Sequence, residues 1–165
     1  MTSSWRALAA EARLVLAACR RHGLRLATAE SCTGGLVAAL LTEIPGSSDV
    51  LERGFVTYSN AAKMELLGVR KRDLEKHGAV SEPVARQMAE GARRRARVQL
   101  AVSITGIAGP GGATATKPVG LVHIGCARYG RTTLHQRKVF QGNRAAIRRQ
   151  AVAVAFALLR RQIGP

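Results

Sequence analysis

Thr28-Ala29-Glu30-Ser31-Cys32-Thr33-Gly34-Gly35 stands between an apolar-alternating run (Leu24, Leu26) and an apolar pattern at helical spacing (Leu36, Val37, Leu40, Leu41). Together these predict a strand over Leu24–Thr28, a tight turn at Ser31–Thr33 and a helix that opens at the turn and stops before Pro45. A helix N-terminus presents unpaired N–H groups and partial positive charge, which favour an anion or a developing oxyanion. A hydroxyl at that point can be a phosphate ligand or a nucleophile whose intermediate the same amides stabilise. It can equally be a plain N-cap, with Gly34-Gly35 a packing contact.

Outward from this stretch the chain alternates helices and strands. Ser3 or Ser4 can cap a first helix carrying Leu8, Ala12, Val15, Leu16 and Cys19, stopped by Gly23. A strand is expected over Val50–Ser59, then a short helix capped by Asn60 and closed by Gly68. Ser81 opens a helix with Pro83 in its first turn, where the missing N–H costs little. Alternation returns at Gln99–Thr105, a further strand follows at Val119–Ala127, and a Tyr129-Gly130 turn leads into a polar edge strand bearing His135, Arg137 and Lys138 and ending at Phe140. Gly142-Asn143 starts a last helix rich in Ala, Val and Leu. The expected product is one domain over residues 1–165, a three-layer α/β/α fold with a mixed, mostly parallel sheet.

Composition narrows the class. The formal net charge is +16, carried mainly by arginines grouped at Arg93–Arg97, Arg144–Arg149 and Arg160–Arg161. Such a surface attracts phosphates, a small anionic substrate or nucleic acid. Only 4% of residues are aromatic, which leaves few stacking platforms for single strands and argues against a dedicated nucleic-acid function. The three cysteines, Cys19, Cys32 and Cys126, are odd in number and widely spaced, which disfavours a disulfide framework or a zinc site. No metal or cofactor is implied. The N-terminus lacks a signal peptide's order of regions, and no apolar run approaches the ~18–20 residues of a membrane span. The expectation is a cytoplasmic protein with no membrane partner.

Three loops follow predicted strands: Ala29–Gly35, Ser59–Lys63 and Gly106–Gly112. In open α/β sheets ligands bind outside the carboxyl ends of strands, so parallel strands would bring the three loops to one place. The glycine-rich loop after Thr105 lets backbone N–H groups approach a ligand closely, although it is neither a Walker A loop nor a dinucleotide fingerprint. Tyr58 and Lys63 offer a phenol and an amine. A lysine serves as a general base only when burial or a neighbouring cation lowers its pKa; beside Ser31 it would make a Ser–Lys system without histidine. A lysine in a short helix is otherwise a solvated surface residue.

The motifs resemble those of the CinA C-terminal domain family, the nicotinamide-nucleotide amidases also called PncC. The resemblance runs through Thr28–Gly35, Pro45–Ser48, Glu52–Lys63, His77–Ser81, Thr105–Gly112 and Lys117–Gly120 in order, and covers nearly the whole chain. It implies an amidase that converts nicotinamide mononucleotide to nicotinic acid mononucleotide and ammonia in pyridine nucleotide recycling, with a homodimer as the expected assembly. Carried onto this chain, Ser31 is the nucleophile, Lys63 its base, and Tyr58 assists through hydrogen bonds. By the helix-terminus argument the amides around Cys32 and Thr33 are the natural oxyanion hole, Gly34 and Gly35 are further substrate-binding candidates, and Thr105, Gly106, Gly109, Gly111 and Gly112 hold the nucleotide. Glu30 either orients Lys63 or caps the turn. Arg144 is a phosphate ligand or a solvated arginine.

Two departures accompany the resemblance. Asn143 stands where the family usually has aspartate, and the metal-dependent N-terminal pyrophosphatase domain of many members is not expected here. Cys32 invites a rival mechanism, since a thiol at a helix N-terminus has a lowered pKa; the matching family nucleophile is the adjacent serine. A different class of reading is a catalytically silent nucleotide-binding partner associated with competence or DNA repair.

Overall fold

In a computed structural model, which describes residues 4–165, the chain runs α1 (Trp5–Arg21), β1 (Leu26–Glu30), α2 (Leu36–Thr42), β2 (Leu51–Val56), α3 (Asn60–Leu67), α4 (Lys71–His77), α5 (Glu82–Ala96), β3 (Leu100–Gly106), β4 (Leu121–Arg128), β5 (Leu134–Val139) and α6 (Arg144–Ile163). The strands form a five-stranded sheet in the order β2-β1-β3-β4-β5. β1 pairs in parallel with β2 and β3, whereas β3–β4 and β4–β5 are antiparallel. The sheet is therefore evenly mixed rather than mostly parallel. Its cause lies between residues 106 and 121, where a glycine-rich loop and no helix joins the strands. Without a crossover helix the chain folds back beside β3 in the opposite direction.

Helices cover both faces. Against one face pack Leu8, Val15 and Leu16 of α1, Val37, Leu40 and Leu41 of α2, and Ile147, Val152, Phe156 and Leu159 of α6, over Leu26, Leu100, Val102, Ile104 and Ile124 of the strands. The other face carries Leu67, Leu74, Val84, Met88 and Ala92 over small strand residues, Ala27, Ala29 and Ala101. Small strand side chains let α5 lie close. Ser103 Oγ donates to Ala85 O at 2.6 Å, and a Cβ on Gly125 would stand 2.6 Å from that same carbonyl.

The local signals act where the sequence places them, with adjustments. Ser4 caps α1 by accepting from Ala7 N–H; Ser3 lies outside the described residues. α3 is capped by Ser59, which accepts from Ala62 N–H, and not by Asn60, its first residue. α2 opens at Leu36 rather than at Ser31, because the turn through Gly34 and Gly35 takes positive φ at both glycines before the helix can begin. α4 has no counterpart in the sequence reading. No helix among the described residues is long and apolar enough to cross a membrane.

α3 and α5 approach so closely that a Cβ on Gly91 would stand 2.0 Å from Leu67 O. Helix propensity alone favours alanine over glycine by up to ~1 kcal/mol. Packing reverses the sign: Gly91→Ala should lower unfolding free energy by roughly 1–3 kcal/mol, the usual cost of overpacking. Urea denaturation measures it, and an unchanged or raised midpoint would contradict the close packing.

Candidate active site

Because β1, β2 and β3 are parallel, their carboxyl ends open on one rim, and the loops after them meet there. A cleft of about 260 Å³ is lined by Ser31, Cys32, Tyr58, Lys63, Thr105, Gly106, Gly109, Gly111, Gly112 and Arg144, joined by Ala79 and Val80 from the α4–α5 connection. Ten of the sequence-derived candidates are thus brought together.

Lys63 is the side chain that gives the cleft its chemistry. It lies in the first turn of α3, and only 1% of its surface is exposed. Its Nζ lies 3.1 Å from Ser31 Oγ, 2.8 Å from Thr57 O and 3.4 Å from Tyr58 O. No carboxylate pairs with it among the described residues. Burial pushes its pKa down from the ordinary 10.5, with only a weaker counter-effect from the neighbouring Cys32. A neutral amine has two N–H bonds, matching the two carbonyls, and one lone pair left for the Ser31 hydroxyl. An ammonium could equally donate to all three oxygens, and it is burial without a carboxylate that favours the neutral form.

Of the two parts expected of Glu30, its hydrogen bonds fit the capping one and none reaches Lys63. Glu30 is buried, and its carboxylate accepts from Gly35 N–H (3.1 Å), Val37 N–H (3.0 Å) and Ala38 N–H (3.0 Å). It therefore caps α2 and neutralises the partial charge there; it does not line the cleft. The anion-binding capacity of the helix end is used internally. What remains for a ligand is the turn: neither Cys32 N–H nor Thr33 N–H meets a protein acceptor among the described residues. Thr33, Gly34 and Gly35 likewise stay out of the cleft wall. Thr33 is buried, and its carbonyl accepts from Arg148 of α6 at 2.7 Å.

The remaining candidates divide by exposure. Tyr58 is 61% exposed, and its phenol oxygen accepts from Arg144 Nη2 at 3.0 Å. Arg144 Nη1 donates to Gly109 O at 2.9 Å, so one guanidinium bridges the Tyr58 loop and the glycine-rich loop. Asn143 caps α6 by accepting from Ala146 N–H at 2.9 Å, which keeps Arg144 at the rim without a negative charge beside it. Thr105 Oγ1 donates to Ala79 O at 2.9 Å and fixes the wall opposite Ser31. Behind that wall His123 Nδ1 and His135 Nε2 lie 2.9 Å apart, with Glu82 on the far side of His135. Cys32 is buried, and its thiol pKa is pushed up to about 11 by burial, the reverse of an activated thiol. Cys19 is buried in the same way, with its pKa pushed up to about 12.

Three comparisons place the chain among known proteins. The sequence pattern of the CinA C-terminal domain matches residues 8–163. The chain is 52% identical over 145 residues to the nicotinamide-nucleotide amidohydrolase PncC of Escherichia coli K12, covering 88% of each protein. It is 54% identical over 140 residues to a CinA-like protein of Syntrophobacter fumaroxidans, covering 85% of this chain but 33% of that longer one. Among solved structures, the competence/damage inducible protein CihA of Agrobacterium tumefaciens superposes with a TM-score of 0.89 at 48% identity, over 92% of this chain and 93% of that one. A CinA superfamily protein of Klebsiella pneumoniae gives a TM-score of 0.90 at 36% identity, over 94% and 97%.

Removing the Glu30 carboxylate would leave three buried or half-buried amides without an acceptor. Glu30→Ala should lower unfolding free energy by about 2–4 kcal/mol, given the ~1–3 kcal/mol cost of each unsatisfied buried group and partial relief by water. Glu30→Gln should recover part of that loss, since one amide oxygen still accepts. A Glu30→Ala protein as stable as wild type would contradict the capping role.

Proposed function

We propose that this chain, which belongs to the CinA C-terminal domain family, is a nicotinamide-nucleotide amidase that hydrolyses nicotinamide mononucleotide to nicotinic acid mononucleotide and ammonia. The observation that carries the reading is the buried Lys63 amine 3.1 Å from the Ser31 hydroxyl, in a cleft whose other wall is glycine-rich backbone. The 52% identity to a PncC amidohydrolase supports it independently.

In this mechanism Ser31 Oγ attacks the carboxamide carbon as Lys63 Nζ takes the hydroxyl proton. The carbonyl oxygen becomes an oxyanion held by the N–H group of Cys32, which lines the cleft. Lys63 then returns a proton to the amide nitrogen, the C–N bond breaks, and ammonia leaves behind an ester on Ser31. Water, deprotonated by the same lysine, attacks the ester; the carboxylate product departs and Ser31 regains its proton. No histidine and no metal ligand enters this sequence. The ribose and phosphate lie against the Thr105–Gly112 loop and Arg144. Tyr58 holds the Arg144 fork through its phenol oxygen, so its part is in positioning the nucleotide end, and its main-chain carbonyl helps to orient Lys63. The reading includes a cytoplasmic setting and a homodimer, the latter supported by the open edge of β2, where Val56 is half exposed beside the cleft.

Ammonia release from nicotinamide mononucleotide, followed in wild type and Ser31→Ala, tests the reading. Wild type should turn over, and a folded Ser31→Ala protein should bind the nucleotide without releasing ammonia. Release by both would remove Ser31 from its role; release by neither would remove the activity. Lys63→Met should reduce kcat by about 10²–10⁴, the usual worth of a general base, with a much smaller change in KM. The pH dependence follows from the lowered pKa of Lys63. An ammonium accepts no proton, so kcat/KM should rise with pH through that lowered value and level off before 10.5. Stability changes in the same direction. Between the lowered folded value and the ordinary 10.5 the unfolded chain binds more protons, so stability rises with pH across that window.

A further inference from the structure

The cleft accounts for few of the arginines, and the rest are not spread evenly. α1 and α5 each lead into the amino end of a parallel strand, so both helices finish at the pole opposite the cleft. α6 starts at the cleft and finishes at that same pole, where Arg128 of β4 donates to Gln162 O and Ile163 O. The last turn of α5 and its C-cap carry Arg93, Arg94, Arg95 and Arg97. One cation near a helix C-terminus complements the macrodipole; four in five positions exceed that need. None of the four pairs with a carboxylate among the described residues.

At the centre of this pole stands Tyr129, on the tip of the β4–β5 hairpin and 74% exposed. Its N–H donates to Gln99 O at 2.8 Å, which fixes the tip against the strand entry. The Arg93 guanidinium lies over its ring, 5.5 Å from the centroid. Two clefts of about 340 and 510 Å³ flank the ring and share Arg93, Arg94 and Tyr129. Arg97 extends the first, and Arg131 extends the second, in which Glu90 is occupied by the Thr133 hydroxyl at 2.7 Å.

We infer that this pole binds single-stranded nucleic acid, with Arg93, Arg94, Arg97 and Arg131 on successive phosphates and Tyr129 as a stacking platform for a base. Planar guanidinium forks suit phosphodiester oxygens, and stacking on an exposed ring beside a cationic groove is the usual means of holding a single strand without reading its sequence. The sparse aromatic content matters less than its position. One of only two tyrosines lies in the catalytic cleft and the other in the densest arginine cluster. An anionic membrane is the poorer fit, because Tyr129 is the one large exposed apolar side chain that lines these two clefts.

Fluorescence anisotropy with a labelled 20-nucleotide single strand tests the assignment. Wild-type affinity should fall with salt at a log–log slope of about −3, from four phosphates at roughly −0.7 each. Arg93→Ala/Arg94→Ala should halve that slope, whereas Arg6→Ala/Arg13→Ala, equal in charge change but on the exposed face of α1, should leave it nearly unchanged. Tyr129→Ala should weaken the single strand about tenfold and a duplex of the same length hardly at all. All variants should keep wild-type melting temperature and ammonia release, because none of these residues touches the cleft; melting alone certifies the fold should the amidase reading fail. Equal losses from the two double variants would mean a diffuse cationic surface and overturn the site. An unchanged affinity in Tyr129→Ala would overturn it too, as would binding to phosphatidylglycerol vesicles with none to the oligonucleotide.

Discussion

An amine carried into a protein interior without a carboxylate beside it is driven toward its neutral form, because the low-dielectric surroundings penalise the ammonium more than the two carbonyls can offset. Lys63 is in that position, and much of the surrounding structure follows from it. The end of β2 supplies Thr57 O and Tyr58 O, which accept the two N–H bonds of a neutral amine. Ser59 caps the helix that brings Lys63 inward. The end of β1 then presents Ser31 to the remaining lone pair. Ser31 follows β1 directly and Lys63 lies in the first turn of the helix that follows the neighbouring parallel strand β2, so the sheet brings the two side chains together.

The same topology separates two electrostatic environments. At the rim where the parallel strands end, the helix N-terminus that would attract an anion is already closed by Glu30, which leaves the turn amides of Cys32 and Thr33 as donors. At the opposite pole the helices α1, α5 and α6 terminate together, and their carbonyl ends favour cations. The arginine excess therefore collects away from the cleft, where it neither raises nor lowers the charge on the reacting carbonyl directly. Arg144 and Arg148 are exceptions, the first held at the rim by Gly109 O and the Tyr58 phenol, the second donating to Thr33 O of the turn.

Much of this was legible in the residues. Strand, turn and helix around Ser31, the convergence of three post-strand loops, and the pairing of Lys63 with Ser31 all follow from spacing and from the family resemblance. What was not legible depends on distances along or between elements that periodicity does not report. Glu30 reaches amides five to eight residues ahead only because α2 starts at Leu36 and not at the turn. α4 was hidden because Lys71–His77 is almost wholly charged, with Leu74 alone buried. The antiparallel return of β4 was hidden for the opposite reason: its apolar pattern is that of any buried strand, and only the missing crossover helix betrays its direction. Arg148 reaches Thr33 across 115 positions, a contact no local pattern contains. Tyr129-Gly130 reads as a turn, which it is, and the pole around it exists only once the helix ends are brought together.

The most direct test of the central claim is the titration of Lys63 itself. In protein with isotopically labelled lysine, the Lys63 side-chain NMR signal, assigned by its loss in Lys63→Met, can be followed from neutral to alkaline pH. The Lys63 midpoint should lie clearly below the ordinary 10.5. A Lys63 midpoint at or above 10.5 would mean a permanently charged ammonium beside Ser31, and the base would have to be sought elsewhere.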